Sequence, residues 1–309
     1  MIEIKKHIGQ GFASGELYDV LKQLQNLGLA VGGEVYFVDC NAGSDGVDDG
    51  ASWDTPYKTL AYAIGVSNAN IAAGSHGWAS RNSILLKGDS CKEDLTVPPV
   101  KCDVIGVGSN DAFNKTEIIG EHAWTGSVTL MSSGFYNIQF VNDGAAAIFT
   151  VDSLTGLYFG DCDFIAEADS IHAIHITGGT GHDLRVLNCR IINDEYADRF
   201  ATAGILIATT TTFWNLVIEN SYIEGEIGIK IDTTNLYNGL INNCIVRATT
   251  LCIDDDSADC VITNSRFIAD GANTANDMLD YNEKLAAGNI ATGETSTNNA
   301  PVLLDGLTN

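Results

Sequence analysis

An all-β chain wound as a right-handed parallel β-helix is the fold the sequence predicts, and three observations predict it. The first is composition. Gly is abundant at 32 residues and Pro scarce at 4, and β-branched residues dominate the apolar runs, which marks many short strands and turns. The second is a six-residue unit: an apolar residue, any residue, Asn or Asp, a small residue, any residue, an apolar residue. It recurs around Asn137, Asp161, Asn188, Asn220, Asn243 and Asn264, at intervals of 24, 27, 32, 23 and 21 residues. The third is a shorter apolar-x-apolar unit that follows in step, at Phe149/Val151, Ile174/Ile176, Ile205/Ile207, Ile229/Ile231 and Leu251/Ile253. A module of two or three short strands repeated every 20 to 30 residues is a solenoid. The apolar spacing of two excludes helical repeats, and no Leu-x-x-Leu-x-Leu frame is present. Eight or nine coils are expected, stacked about 4.8 Å apart.

The recurring Asn or Asp has a physical reason. Equivalent positions of a solenoid lie one above another, so Asn137, Asp161, Asn188, Asn220, Asn243 and Asn264 form a structural ladder along one corner. Asn tolerates the left-handed backbone that such a bend needs, and its amide can bond its neighbours above and below. The next residue turns into a tight interior corner and is small: Cys162, Cys189, Ser221, Cys244 and Ser265, with Ile138 at the first copy. A buried free Cys behaves as a small hydrophobe. No C-x-x-C pair occurs among the eight cysteines, so the sequence predicts buried thiols and neither a zinc frame nor disulfides.

The elements follow in order. Residues 1–33 form an arm with a helix over 14–27, whose Leu17, Val20, Leu21, Leu24 and Leu27 lie at helical spacing before Gly28. It is a cap for the solenoid or an anchor to a partner. The β-helix occupies 34–270. It opens with a strand, a Gly/Asp-rich loop and a helix starting near Thr55-Pro56, then irregular coils over 82–133, then the regular ones. Residues 271–309 form a polar, loop-like tail or cap whose one apolar patch is "PVLLDGL". An open last coil would expose a strand edge, so a cap or a subunit contact is expected there.

The opening "YFVDCNAGSDG…SWDTPYKTLAYAI" resembles that of pectate-lyase-like right-handed parallel β-helix proteins, over an architecture spanning about residues 35–268. That superfamily includes polysaccharide lyases and hydrolases, surface proteins, and bacteriophage tailspikes and other virion proteins. The resemblance speaks for fold and little for activity. It implies a virion component, a homotrimeric capsid-decorating (cement) protein or tailspike-like appendage that contacts major capsid or tail proteins. The shortness of the arm before the β-helix favours decoration of a shell. The alternatives are a polysaccharide lyase or glycoside hydrolase acting on host surface glycans, and a non-catalytic carbohydrate-binding module.

Charge narrows the partners. Forty acids against sixteen Lys and Arg give a net charge of −24, which repels phosphate backbones and anionic membranes, so neither nucleic acid nor membrane is an expected partner. No stretch reaches the roughly 18 apolar residues of a membrane span. The first residues carry no apolar leader core, so synthesis and folding in a host cytoplasm are expected. No cofactor is implied. Weak catalytic candidates are Glu195 and Asp198, in a long loop that also holds Asp194, Tyr196 and Phe200, and the pair Asp232 and Asp254, expected on adjacent coils. Two carboxylates near each other are what a hydrolase of this fold needs. Asp45, Asp48 and Asp49 offer oxygen ligands for Ca²⁺ without an EF-hand spacing. His172, His175 and His182 lie close in sequence without a zinc frame. Arg190 beside Asp163 reads as a cross-coil ion pair.

Overall fold

The computed structural model describes residues 33–269, apart from 75–79, 109–114, 126–129, 143, 167–170, 194–199, 209–211 and 258, together with 279–281 and 290–293. The predicted helix over 14–27 and the "PVLLDGL" patch lie outside the described residues.

Every named strand pairing is parallel, and partners come from successive coils. One sheet runs through Val35–Val38, Asn82–Leu86, Cys102–Gly106, Leu130–Tyr136, Leu154–Gly160, Gly181–Leu187, Phe213–Glu219, Gly239–Asn242 and Cys260–Thr263. The second sheet holds the other segments of each coil, among them Ile138–Asn142, Asp163–Ala166, Arg190–Asn193 and the long strands Tyr222–Ile231 and Ile245–Asp255. The result is a parallel β-solenoid of about seven turns, fewer than eight or nine. The tail is not all loop. Leu279–Tyr281 pairs with Ile253–Asp255, and Ile290–Gly293 pairs with Arg266–Ala269. Pairing along the axis uses backbone groups, so a polar segment can still join the sheet.

The core is a column of stacked side chains. Val104, Phe135, Phe159, Val186, Ile218, Ile241 and Ile262 point inward from the first sheet, and all are buried. An aromatic cluster fills the middle coils: Phe135 stacks on Phe159 at 5.7 Å, Phe140 stacks on Phe164 at 5.4 Å, and Phe149 and Trp124 pack between them. Each buried ring contributes on the order of 1.5–3 kcal/mol.

Helix α1 (Leu60–Ala72) closes the N-terminal end. It begins at Leu60 and not near Thr55-Pro56. Tyr57 is drawn into extended pairing first: its N–H donates to the Phe37 carbonyl, and its own carbonyl accepts from Asp39. Thr59, at φ −117° and ψ 141°, is the cap, and its Oγ1 accepts from Tyr62 N–H at 3.2 Å. Leu60, Ala63, Ile64 and Ser67 face the solenoid. Among the described residues no helix is long and apolar enough to cross a membrane.

His122 is the polar exception in the aromatic core. Its ring lies 4.7 Å from that of Phe149 and 5.7 Å from that of Phe140. Nδ1 accepts from Leu95 N–H at 3.1 Å, while the buried Nε2 has no partner. Burial pushes its pKa down to about 3, against a weaker upward pull from Asp94. The unfolded chain therefore takes up this proton first. The stability contribution is complete above pH 6.5 and is lost as the pH falls from 6.5 towards about 3. The melting temperature should thus fall between pH 6.5 and 5, above the ordinary carboxylate range, and His122→Phe should flatten that decline. An unchanged slope in the variant would refute the assignment.

Candidate functional site

The Asn and Asp positions of the repeat share one backbone conformation. Asn137, Asp161, Asn188, Asn220, Asn243 and Asn264 all have φ between 51° and 55°. Each of the first five donates its backbone N–H to a carbonyl of the next coil, as Asn188 does to Glu219 at 3.0 Å. The amide-to-amide bond is direct from Asn243 Nδ2 to Asn220 Oδ1, at 2.7 Å. Elsewhere the amides turn to other partners, Asn264 to Asn242 Oδ1 and Asn137 to the carbonyls of Gly106 and Gly108. Behind this column Cys162, Cys189, Ser221, Cys244 and Ser265 are buried. The Cys189 and Cys244 N–H groups donate to Ser221 Oγ and Ser265 Oγ, both at 3.1 Å. Burial, with the adjacent Cys189 thiol, pushes the Cys162 thiol well above its ordinary value, and burial lifts Cys244 to about 11. These thiols stay protonated and unreactive.

A second left-handed column stands five residues earlier in each coil: Lys101, Ser132, Gly156, Asp183, Asn215 and Asn238, with φ from 47° to 86°. Asn215 Nδ2 donates to Asp183 Oδ1 at 3.0 Å, and Asn238 Nδ2 to Asn215 Oδ1 at 3.3 Å. The repeat as read from the sequence omits this column. Its signal is the Gly, Asp or Asn standing five positions before Asp161, Asn188, Asn220 and Asn243.

The carboxylates meant for chemistry are dispersed or already partnered. Asp232 and Asp254 do not form a pair. Ile229 stands over Ile253 and Lys230 over Asp254, because the pairing shifts between Gly225 and Ile227. The last copy of the second unit is therefore Ile253/Asp255 and not Leu251/Ile253. Asp254 lies 3.1 Å from Lys230 Nζ, and this contact raises the Lys230 pKa. The Asp232 N–H instead donates to Ile207. Glu195 and Asp198, with Asp194 and Tyr196, lie outside the described residues. Phe200, placed in the same loop by the sequence, is fully buried and belongs to the core. Asp163 is held by Arg190 and by Lys115, each at 3.3 Å. Glu224 accepts from Tyr222 Oη at 2.5 Å and faces Arg247 at 3.6 Å. Of the histidines, His172 is buried and His182 stacks on Trp214.

The Gly/Asp-rich loop serves the helix. Asp45 Oδ1 accepts the Lys58 and Thr59 N–H groups, and Asp45 Oδ2 accepts Thr59 Oγ1–H. Glu93 accepts Leu60 and Ala61 N–H at 2.8 and 3.0 Å. Glu93 thus satisfies two of the open donors at the helix N-terminus, Asp45 fixes the turn just before it, and both carboxylates match the helix dipole. Asp48 is exposed and Asp49 half-buried, and among the described residues the three carboxylates do not gather within ligand distance of one another. Cys40 and Cys91 form a disulfide with Cα atoms 5.5 Å apart, contrary to the expectation that every cysteine is a free thiol. Six free thiols are buried as expected. The two bonded cysteines are 51 residues apart, and only folding brings them together. Their sulfurs and a Glu93 oxygen lie within 4.8 Å of one another. The disulfide occupies both sulfurs and the helix occupies both Glu93 oxygens, so the cluster works as a clasp. Beside it, burial pushes the Asp39 carboxyl up, but Lys87 at 2.6 Å and two backbone N–H groups outweigh that and hold it low.

Two features of the outer surface remain. His182, Trp214 and Tyr237 stack along the first sheet, with centroids 4.4 and 5.9 Å apart. On the opposite side of the Asn corner, an open groove of about 360 Å³ is lined by Asn220, Tyr222, Asn243, Ile245, Asn264 and Arg266. No family model, curated protein or solved structure matches the chain.

Two outcomes follow from the ladder and the clasp. Asn243→Val places a β-branched residue in left-handed backbone and removes the Asn220 bond, so it should cost about 1–2 kcal/mol or more in urea unfolding. Asn243→Gly should cost less, and equal losses would contradict the backbone argument. Closing a loop of this length contributes about 4 kcal/mol. A dithiol reductant should therefore lower the melting temperature, and Cys40→Ser should reproduce the drop and abolish the response to reductant.

Proposed function

We propose that the chain is a non-enzymatic structural protein, a solenoid that assembles as a homotrimer within a larger particle. One observation carries the non-enzymatic part. Along the outer columns several described acids are matched to cations of neighbouring coils, as at Lys115–Asp163–Arg190, Lys230–Asp254 and Glu224–Arg247. Ion pairs of this kind hold register, and they engage carboxylates that a hydrolase of this fold would need for chemistry. The opening motif, through its resemblance to β-helix virion proteins, extends the reading to a bacteriophage capsid-decorating protein or tailspike-like component, made in the host cytoplasm and bound to major capsid or tail proteins. The fold alone does not distinguish this from an enzyme.

A second reading, a non-catalytic glycan-binding surface, is favoured by the groove beside the Asn corner. Amides, a phenol and the guanidinium of Arg266 line it, and these groups suit sugar hydroxyls and acidic sugars.

Light scattering should give a mass three times that of the 32.8 kDa chain. Incubation with capsular polysaccharide should release neither reducing ends nor unsaturated products. Cleavage abolished by Glu195→Gln or Asp232→Asn would replace the structural reading with a lyase or hydrolase. Retention on a glycan array without turnover would support the second reading.

A further inference from the structure

We infer that copies of this chain associate through the outer face of the first sheet. This inference rests on the homotrimer reading and names the surface that reading needs. Outward residues of successive coils stack into columns. In one column Tyr158, Arg185, Val217, Leu240 and Val261 follow one another from coil to coil. In the next, Phe37, Leu85, Ile105, Tyr136, Gly160 and Leu187 do the same.

Three observations select a second copy as the occupant. The first is charge. Each copy carries −24, so most approaches of two copies are repulsive. In these two columns from Ile105 onward the acid is Glu219, which accepts from Asn242 Nδ2 at 2.9 Å. Asp103, at the head of the Tyr158 column, is clamped by Arg81. Arg185, over the Tyr158 ring at 5.5 Å, adds a positive group. Asp183, between the His182 stack and the Arg185 column, accepts from Asn215 Nδ2 at 3.0 Å, so copies meet here with few opposing carboxylates. The second is composition. Tyr, Trp and Arg with little Lys, Asp or Glu is the signature of interface cores, and the His182–Trp214–Tyr237 stack borders the columns. The third is continuity. At the N-terminal end the chain covers this same face itself: Trp53, from the loop after the first strand, meets Phe37 edge-on at 5.0 Å, and Phe37 and Leu85 are buried. Further along, the columns reach solvent. Val261 in the first column and Tyr237 in the bordering stack each keep 45 % of their surface exposed.

The test is light scattering on the full chain and on two variants of this face, Val217→Asp and Val261→Asp, with Ile245→Asp on the second sheet as control. Circular dichroism and melting confirm that each variant folds. If Val217→Asp does not fold, Val261→Asp, at a more exposed position, still decides the question. The expected result is a trimer for the wild type and for Ile245→Asp, and loss of the trimer for the face variants. A wild-type trimer that persists in the face variants overturns this inference and leaves the homotrimer reading standing. A monomeric wild type overturns both.

Discussion

Vertical register between coils is the constraint on which everything else rests. A parallel solenoid satisfies its backbone groups along its axis, so each coil must bend at the same places as the coil beneath it. The left-handed residues at Asn137, Asp161, Asn188, Asn220, Asn243 and Asn264 make one bend, and the Lys101–Asn238 column makes another. A side chain that bends the wrong way would displace its own coil and those stacked on either side. The shared backbone conformation carries this constraint more than the amide ladder does. The ladder is direct at Asn220–Asn243 and elsewhere gives way to carbonyl partners, while the left-handed φ does not vary.

Register also shapes the electrostatics. An excess of acids is a liability where side chains of like charge would stack about 4.8 Å apart. The chain alternates instead: Asp163 meets Arg190, Glu224 meets Arg247, and Lys230 meets Asp254. At the N-terminal end, Asp45 and Glu93 face the positive end of helix α1. The clasp of Cys40–Cys91 and Lys87–Asp39 holds that end to the first coils. The same economy leaves the first sheet's outer face nearly free of acids, which makes self-association there compatible with the charge of the whole.

Much of this was legible in the repeat. The Asn corner, the inward thiols and the Asp163–Arg190 pair all follow from the interval between units. The misreadings have specific causes. Pairing Asp232 with Asp254 requires Leu251/Ile253 as the second unit, and the irregularity between Gly225 and Ile227 puts the true match two residues further on. Phe200 sits in a long insertion but turns inward, because a large ring there fills the core. Asp45 has the look of a cation ligand and instead holds the turn that caps the helix, since the N–H groups it accepts come 13 and 14 residues later.

By itself the sequence determined the fold class, the coil period and which residues turn inward, because these depend on local alternation and on a pattern repeated along the chain. Only the tertiary structure decided the Cys40–Cys91 bond, the start of helix α1, the partners of each carboxylate and the acid-poor outer face. Each of those depends on which residues of different coils come to lie within a few ångströms of one another. That distance is set by the length of every intervening loop, which no single unit of the repeat encodes.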